Sequence, residues 1–196
     1  ESLPSVLSEL KKFNYKICII LKDTDSITIN SIKDFDVEVI QQKGIGYGDA
    51  LIEGINNVKT DYLCIFNADG SFNPNEIDGI MKQIEKNNTD FIFASRYEKN
   101  AGSDDDTFVT FVGNYLFSSI GKIFFKLEIS DILYTFVIGN TFKAKSLNIL
   151  SKDFRFCVEL PIKAKRKNFK MDVFPSYERK RIAGKKKVNA LKDGSL

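Results

Sequence analysis

The sequence predicts an α/β domain built on a mostly parallel sheet with helices on both faces. Short apolar runs typical of buried strands alternate along the 196 residues with stretches whose apolar residues recur at helical spacing. Strands that alternate with helices favour parallel pairing, because each helix carries the chain back across the sheet. A chain of this length with 43% hydrophobic residues can bury a sizeable core, and it fits one domain over 1–196.

The predicted elements follow one another without an internal repeat or a low-complexity linker. In chain order they are helix 3–13, strand 15–21, strand 37–41, helix 49–57, strand 62–66, helix 75–86, strand 90–97, strands within 129–143, a helical turn at 145–150, helix 156–167 and strand 171–176. We expect a polar turn and a short linker over 22–36, and an acidic, mobile lid over 98–106.

Two residue counts restrict the chemistry. The chain has no histidine, which excludes Ser-His-Asp and Cys-His nucleophile systems and histidine metal sites. Cys18, Cys64 and Cys157 lie singly in apolar runs without metal-ligand spacing, so we expect reduced core residues. A secretory signal is not evident, and we predict a cytoplasmic protein, soluble or peripheral on the cytoplasmic face of a membrane.

Charge is divided unevenly along the chain, although the net charge is only +3. Residues 163–187 contain eleven Lys or Arg against two acids, a charge of +9 that leaves −6 for the remainder. Such a segment is typical of a solvated tail or a nucleic-acid patch, but it can equally meet diphosphates or an anionic membrane. The interleaved aromatic platform of a single-strand binder is not evident there, which disfavours nucleic acid.

Polar side chains end the predicted strand 62–66. Asn67 and Asp69 lie two residues apart, so both can point the same way at the carboxyl edge where open α/β sheets collect ligands. Oxygen ligands of this kind suit Mg²⁺ or Mn²⁺ that also holds substrate phosphates. An ordinary exit turn is the alternative, because Asn, Asp, Gly and Pro are common turn residues.

A glycine-rich stretch, 42–50, opens the predicted helix 49–57. Its glycines permit close backbone approach, and the amino end of a helix attracts anions. Alternating glycines are a weak signal alone, so this loop indicates a phosphate site only together with other motifs.

Residues 107–127 form the most apolar region, with six Phe or Tyr and only Lys122 and Lys126 as charges. The segment is short and interrupted for a membrane span. Two interpretations stay open: it packs on the sheet, or it lies in a membrane interface with its aromatic residues in the headgroup region.

Several motifs in a fixed order carry a family resemblance. They are Lys22-Asp23, Lys43-Gly-Ile-Gly46, the stretch 67–74, Ala94-Ser-Arg-Tyr97, Gly113-Asn114, Asp131 and the stretch 181–189. Together they resemble family 2 glycosyltransferases of the GT-A (Rossmann-like) fold, and within that family the polyprenyl-phosphate sugar synthases. The resemblance implies inverting, metal-assisted transfer from a nucleotide-sugar donor to a dolichyl or undecaprenyl phosphate.

The resemblance assigns roles to residues on the donor side. Asp23 matches an acid that contacts the nucleoside. Asn67 and Asp69 occupy the D-x-D positions that hold Mg²⁺ or Mn²⁺ on the donor diphosphate, and Ser71 stands where a third ligand can lie. The remaining substrate-binding positions are Lys43, Gly44, Gly46 and Asp131.

Three basic residues match basic positions of the family. Arg96 matches the arginine after the following strand, and Arg181 and Lys187 match the basic element, here 178–189, that meets donor and acceptor phosphates. Asp69, Arg96 and Arg181 are therefore the predicted catalytic residues. Metal and Lys or Arg charges can neutralise a leaving diphosphate without histidine.

The chain departs from the family pattern at several positions. The amide of Asn67 replaces an acid, so it can ligate a metal through oxygen but adds no charge, which should weaken binding. The other departures are Lys22 for an acid, Lys186 for serine, and Thr110 and Phe111 in place of a phosphate-binding arginine.

The beginning of the sequence departs from the pattern as well. Residues 1–4 resemble those just after the family's first strand, so we expect that strand to be absent from the chain as given. Either the sequence starts late or the chain is a degraded or unusual member of the family. We expect the missing strand to fit between strands 15–21 and 62–66.

Other functions stay open from the sequence. The acceptor can be a polysaccharide or another non-lipid molecule. Alternatively, the weakened acids indicate a weakly active or noncatalytic nucleotide-binding relative.

Overall fold

The computed structural model describes residues 1–22 and 24–183 and confirms the α/β class. The helices are α1 Leu3–Leu10, α2 Ser26–Ser31, α3 Tyr47–Asn57, α4 Ile77–Asn87, α5 Phe108–Phe125, α6 Thr141–Ser146 and α7 Phe156–Arg166. The strands are β1 Cys18–Leu21, β2 Glu38–Gln41, β3 Tyr62–Ile65, β4 Phe91–Ser95, β5 Gly102–Ser103, β6 Val137–Asn140, β7 Met171–Pro175 and β8 Tyr177–Glu178. One turn of 3₁₀ helix, Pro74–Glu76, leads into α4.

The main sheet has four strands in the order β3-β6-β4-β7. Strands β4 and β7 are parallel, whereas β6 runs antiparallel to both of its neighbours, β3 and β4. Two parallel pairs, β1-β2 and β5-β8, form separate small sheets. Three of the five strand pairs described are parallel, although two of the three pairs in the main sheet are antiparallel. Strands β3, β4 and β7 run in the same direction and end at the same edge of the main sheet.

The hydrophobic core lies on both faces of the main sheet. Side chains of a strand alternate between its faces, and all of β4 is buried. On one face Phe91 and Phe93 belong to a core cluster with Leu160 of α7. On the other face Ile92 clusters with Ile80 of α4. Helices thus cover both faces, and each fully buried side chain of this kind contributes about 1.5–3 kcal/mol.

An apolar cleft of about 510 Å³ separates β1 from β3. Within the described residues, β1 pairs only with β2 and β3 only with β6. Leu7 of α1, Ile19 of β1 and Leu63 of β3 line the cleft. The cleft lies where we expected the missing strand.

The cleft also corrects two expectations about β3. Tyr62 and Cys64 line it and are exposed, so β3 is not buried on both faces as predicted. All three cysteines are free, as expected, but only Cys157 is buried. Cys64 therefore lies at the edge of the core and not inside it.

Local capping explains two further differences from the predicted elements. Residues 26–31 form α2 and not a linker, because Asp25 accepts a hydrogen bond from the Thr28 N–H at 3.1 Å. Helix α6 begins at Thr141, before the predicted turn, because Asn140 accepts a hydrogen bond from the Lys143 N–H at 3.0 Å.

The predicted lid, 98–106, contains a short strand. Gly102 and Ser103 form β5 and pair with Tyr177 and Glu178 of β8. This pairing anchors the acidic loop to the end of the described chain.

Candidate active site

Asp69 lies in a tight turn after β3, at the shared carboxyl edge of the sheet. Gly70 has φ +86°, a conformation that favours glycine. Ser71 donates its backbone N–H at 3.0 Å and its hydroxyl at 2.8 Å to Asp69 Oδ1. Asp69 Oδ2 faces Arg181, whose Nη1 lies 3.6 Å away. The turn therefore fixes the carboxylate with Oδ2 directed toward the site, and Ser71 supports Asp69 through its hydroxyl.

Asn67 lies beside Tyr47 of α3. The Tyr47 hydroxyl lies 3.4 Å from Asn67 Oδ1 and 2.6 Å from Thr135 Oγ1. The Tyr47 ring stacks on Phe154, with ring centroids 5.0 Å apart. Burial raises the pKa of Tyr47, so its hydroxyl stays neutral. Since an amide oxygen has two lone pairs, Asn67 can accept this hydrogen bond and still ligate a metal.

Residues 179–182 cross over the Asp69 turn. The Arg179 N–H donates to Ser71 O at 2.8 Å, and the Ile182 N–H donates to Asp69 O at 2.8 Å. Ile182 also covers Gly70, where a Cβ would lie only 2.6 Å from Ile182 Cδ1. These contacts place Arg181, a predicted catalytic residue, beside Asp69.

Arg181 binds Asp105 more closely than it binds Asp69. Its Nε and Nη2 donate to Asp105 Oδ2 at 3.0 and 2.7 Å. The hydrogen bonds from Arg181 to Asp105 raise the pKa of the guanidinium. Arg181 is therefore a permanent positive charge shared between the Asp69 turn and the acidic loop.

Arg96 follows β4, as predicted, but its side chain is buried in a network of its own. Nε and Nη2 donate to Asp131 at 2.7 and 2.9 Å, and Nη1 donates to Glu178 at 3.0 Å. The Tyr134 ring lies 4.8 Å from the guanidinium carbon. Burial alone would lower the pKa of Arg96, but the hydrogen bonds and charge of Asp131 outweigh it and raise the pKa.

The structure thus pairs Arg96, predicted as a catalytic residue, with Asp131, predicted as a substrate-binding residue. Arg96 is 9% exposed and Asp131 is fully buried. This geometry favours a positioning role for the pair, and direct contact with substrate stays a prediction.

Helix α5 completes the Asp131 network from the other side. Asn114 donates to Asp131 Oδ1 at 2.8 Å and accepts from the Leu133 N–H at 3.0 Å. Ser118 accepts from the Ile132 N–H at 3.2 Å. The buried residues of α5 are Asn114, Ser118 and Gly121. The side of α5 that carries these polar and small residues therefore packs against the rest of the protein.

The opposite face of α5 is apolar and exposed. Phe108 is 80%, Tyr115 67% and Phe124 74% exposed. The other exposed apolar residues of the helix are Val109, Phe111, Val112, Leu116, Ile120 and Ile123. Among the described residues, this face does not pack on the sheet. By length and composition alone α5 also passes as a membrane-crossing helix, with 17% of it buried, which by itself is weak evidence.

The glycine-rich loop is held by contacts within the protein. Asp49, in the first turn of α3, accepts a hydrogen bond from the Gly44 N–H at 3.0 Å. Gly46 has φ +116° and lies so close to Lys152 that a Cβ would be 2.1 Å from the carbonyl oxygen. Lys43 is 81% exposed at its side chain. The loop supports the site through Tyr47, which follows Gly46 and contacts Asn67.

We expect the loop 150–153, which packs on Gly46 through Lys152, to loosen at low pH. Glu159 accepts hydrogen bonds from the N–H groups of Leu150 at 3.0 Å and Ser151 at 2.7 Å, and it pairs with Lys163. Partial burial alone would raise the pKa of Glu159, but the hydrogen bonds from Lys163, Ser151 and Leu150 outweigh it and lower the pKa to about 2. A lowered pKa stabilises the fold above about pH 4.3, and that stability is lost as the pH falls toward the folded-state pKa.

Glu159→Gln should therefore lower the free energy of unfolding by about 2 kcal/mol at pH 7, less than the whole pKa shift implies because water screens the partly exposed pair with Lys163, and by much less at pH 2.5. Urea unfolding at both pH values measures the difference. Asp153→Asn, at an exposed ion pair with Arg155, is the matched control and should change little. An equal loss for Glu159→Gln at both pH values would contradict the expectation.

Two predicted site residues, Asp23 and Lys187, lie outside the described residues, so their contacts stay predictions. Sequence reasoning missed four others that the structure brings to the site: Tyr47, Asp105, Thr135 and Glu178. For Asp105 a signal existed, because three consecutive acids in one loop and a basic segment elsewhere are complementary in charge. Tyr47 and Thr135 carry no such local signal.

Comparison with known proteins identifies the family. Residues 1–147 match the family described as Glycosyl transferase family 2. Because this match covers more than half of the chain, the chain belongs to glycosyl transferase family 2.

Solved structures share the fold. The chain is similar to mannosyl-3-phosphoglycerate synthase from Rubrobacter xylanophilus, with 16% identity and a TM-score of 0.70, over 99% of this chain and 65% of that one. It is similar to glucosyl-3-phosphoglycerate synthase from Mycobacterium tuberculosis in complex with Mn²⁺, UDP and glucosyl-3-phosphoglycerate, with 8% identity and a TM-score of 0.71, over 94% and 68%. A third is S. aureus TarS 1–349 in complex with UDP-GlcNAc, with 14% identity and a TM-score of 0.60, over 94% and 56%.

These likenesses confirm the predicted GT-A class of fold. The chain spans 65% of the length of the Rubrobacter xylanophilus protein.

Proposed function

We propose that this chain transfers a sugar from a nucleotide-sugar donor to a polyprenyl phosphate at a membrane surface. Membership of glycosyl transferase family 2 and the position of Asn67 and Asp69 at the sheet edge support the donor half of the proposal. Relatives of the same fold are in complex with UDP or UDP-GlcNAc. The exposed apolar face of α5 supports the acceptor half.

Asn67 and Asp69 would hold Mg²⁺ or Mn²⁺, and the residues fit such a metal. Asp69 Oδ2 and Asn67 Oδ1 are hard oxygen ligands, and Asn67 Oδ1 has a second lone pair besides the one that faces Tyr47. Mg²⁺ is commonly held by one or two carboxylates together with substrate phosphates. When bound, the metal supplies positive charge to the leaving diphosphate. One carboxylate and one amide are few ligands, so we expect metal binding to be weak alone and to strengthen when the donor diphosphate is present.

The residues of the chain would position the reactants and neutralise charge. An oxygen of the acceptor phosphate bonds to the anomeric carbon, the bond from that carbon to the diphosphate oxygen breaks, and the configuration inverts. The nucleoside diphosphate leaves with the electron pair. An ionised phosphate needs no strong general base, which agrees with a chain that has no histidine. Arg181 would neutralise phosphate charge, and Arg96 with Asp131 would hold β4 and α5 in place.

The orientation of α5 is the main support for the proposal that the chain acts at a membrane surface. A polyprenyl phosphate has its chain in the bilayer and its phosphate at the surface, so its enzyme must work at that boundary. Helix α5 begins directly after the acidic loop, in which Asp105 binds Arg181, and Arg181 faces Asp69. The apolar face therefore starts beside the candidate metal site. Lys122 and Lys126 would add about 1 kcal/mol each where they meet anionic lipid.

Liposome flotation tests the membrane half. Wild type should float with anionic vesicles at low salt, and binding should weaken without vanishing as salt screens the lysines. Tyr115→Ser/Phe124→Ser should lower partitioning about a hundredfold, because each buried aromatic side chain contributes about 1.5 kcal/mol or more. Ile27→Ser/Phe142→Ser removes two apolar residues that are 84% and 81% exposed elsewhere and should change nothing.

The alternatives predict other outcomes. If wild type ignores anionic vesicles at low salt, a polysaccharide or another soluble acceptor becomes the better hypothesis. If the chain binds a nucleotide-sugar with Mn²⁺ but transfers no sugar to any acceptor, it is a noncatalytic relative.

A further inference from the structure

The carboxylate of Asp69 has two oxygens in different surroundings. Oδ1 accepts both hydrogen bonds from Ser71. Oδ2 faces Arg181 Nη1 at 3.6 Å, too far for a hydrogen bond but close enough for strong attraction. A metal at Asp69 and the guanidinium of Arg181 therefore need the same oxygen.

Asp105 decides how far Arg181 can move toward that oxygen. Both Nε and Nη2 donate to a single oxygen of Asp105, at 3.0 and 2.7 Å. The side chains of Arg181 and Asp105 are only 19% and 15% exposed, so water screens the pair weakly. The backbone of the same segment is fixed by the Ile182 N–H bond to Asp69 O. The two hydrogen bonds to Asp105 therefore oppose movement of the guanidinium onto Asp69.

Resting on the proposed function, we propose that Asp105 is a positioning residue that holds Arg181 off Asp69 Oδ2 and so keeps this oxygen available to a divalent cation. Without Asp105, Arg181 closes onto Asp69 as an internal cation and competes with the metal. With Asp105 in place, the guanidinium stays beside the site, where it can meet the diphosphate that arrives with the metal. The acidic loop thereby sets the metal affinity of a turn more than thirty residues away in sequence.

Titration calorimetry with Mn²⁺, alone and with UDP, tests this on the full chain. Arg181→Gln should bind Mn²⁺ alone about three- to tenfold more tightly than wild type, because the competing cation is gone. Asp105→Asn should bind it about three- to tenfold more weakly. In the double variant the effect of Asp105→Asn should vanish, leaving the affinity of Arg181→Gln. Asp105→Glu should restore most of the wild-type affinity, since it restores the carboxylate.

The double variant separates positioning from simple loss of charge. If Asp105→Asn acted only by removing a negative charge near the metal, it would weaken binding equally with and without Arg181, and that outcome overturns the proposal. Asp104→Asn removes the same charge from the same loop, at a residue bonded to the Tyr177 hydroxyl, and should change Mn²⁺ affinity little. Circular dichroism melts confirm that each variant is folded.

The controls also separate this inference from the proposed function. If wild type binds no Mn²⁺ even with UDP, the proposed metal site fails, and the role of Asp105 fails with it. If wild type binds Mn²⁺ but the two substitutions are additive, only the role of Asp105 is overturned.

Discussion

Asp69→Ala should abolish Mn²⁺-dependent binding of the nucleotide and slow sugar transfer by at least about a hundredfold. Asp69 is the carboxylate that follows β3; its side chain is 24% exposed to solvent, and its Oδ2 faces Arg181. Asn67 alone carries no charge to hold a divalent cation. Calorimetric titration of UDP with and without Mn²⁺, together with a transfer assay, measures both effects.

The fold should survive this substitution. Ser71 loses the acceptor of two hydrogen bonds, at a cost of about 1–3 kcal/mol, while the backbone bond from Ile182 to Asp69 O remains. Asp34→Ala, at an exposed acid after α2, is the matched control and should leave binding unchanged. Unchanged Mn²⁺-dependent affinity in Asp69→Ala would remove Asp69 from the metal site.

Asp131→Ala should lower the melting temperature by roughly 10 °C, because removing one partner of a buried ion pair costs about 3–5 kcal/mol. The substitution leaves the guanidinium of Arg96 and the amide of Asn114 without their shared acceptor. It therefore loosens the contact between β4 and α5 as well as the pair itself. Differential scanning calorimetry measures the shift.

An exposed ion pair provides the comparison for Asp131→Ala. Asp153 and Arg155 pair at 2.6 Å, but their side chains are 43% and 57% exposed. Asp153→Ala should cost well under about 1 kcal/mol, since exposed pairs contribute little. Similar melting temperatures for the two variants would show that the Arg96 network does not stabilise the fold.

Strands and helices with a strong pattern were predicted from the sequence, and those without one were not. Strand β4 is a continuous apolar run, and α4 repeats its apolar residues at helical spacing, so both are confirmed within a few residues. Strands β5 and β8 have two residues each and exist only because Gly102 and Ser103 meet residues about 75 positions away. No local pattern carries that information. Helix α2 was also missed, although Asp25 is of a residue type that commonly caps helices and could have indicated where α2 begins.

The candidate site shows the same division between local and long-range information. The turn after β3 places Asn67 and Asp69 by local chemistry, and the sequence predicted both. The partner of Arg96 depends on the path of the chain, since Asp131 lies 35 residues further on. Helical spacing puts Asn114, Ser118 and Gly121 on one side of α5, but only the buried Asp131 makes that side the inner one.

The apolar cleft between β1 and β3 is suited to an extended segment of chain. Within the described residues, both strands present backbone N–H and C=O groups to the cleft without a strand partner. Edges of this kind are templates for pairing with another chain. Here two such edges face each other, so one extended segment can satisfy both at once. An extended segment that enters this cleft therefore gains backbone hydrogen bonds on both sides as well as contact with the apolar lining.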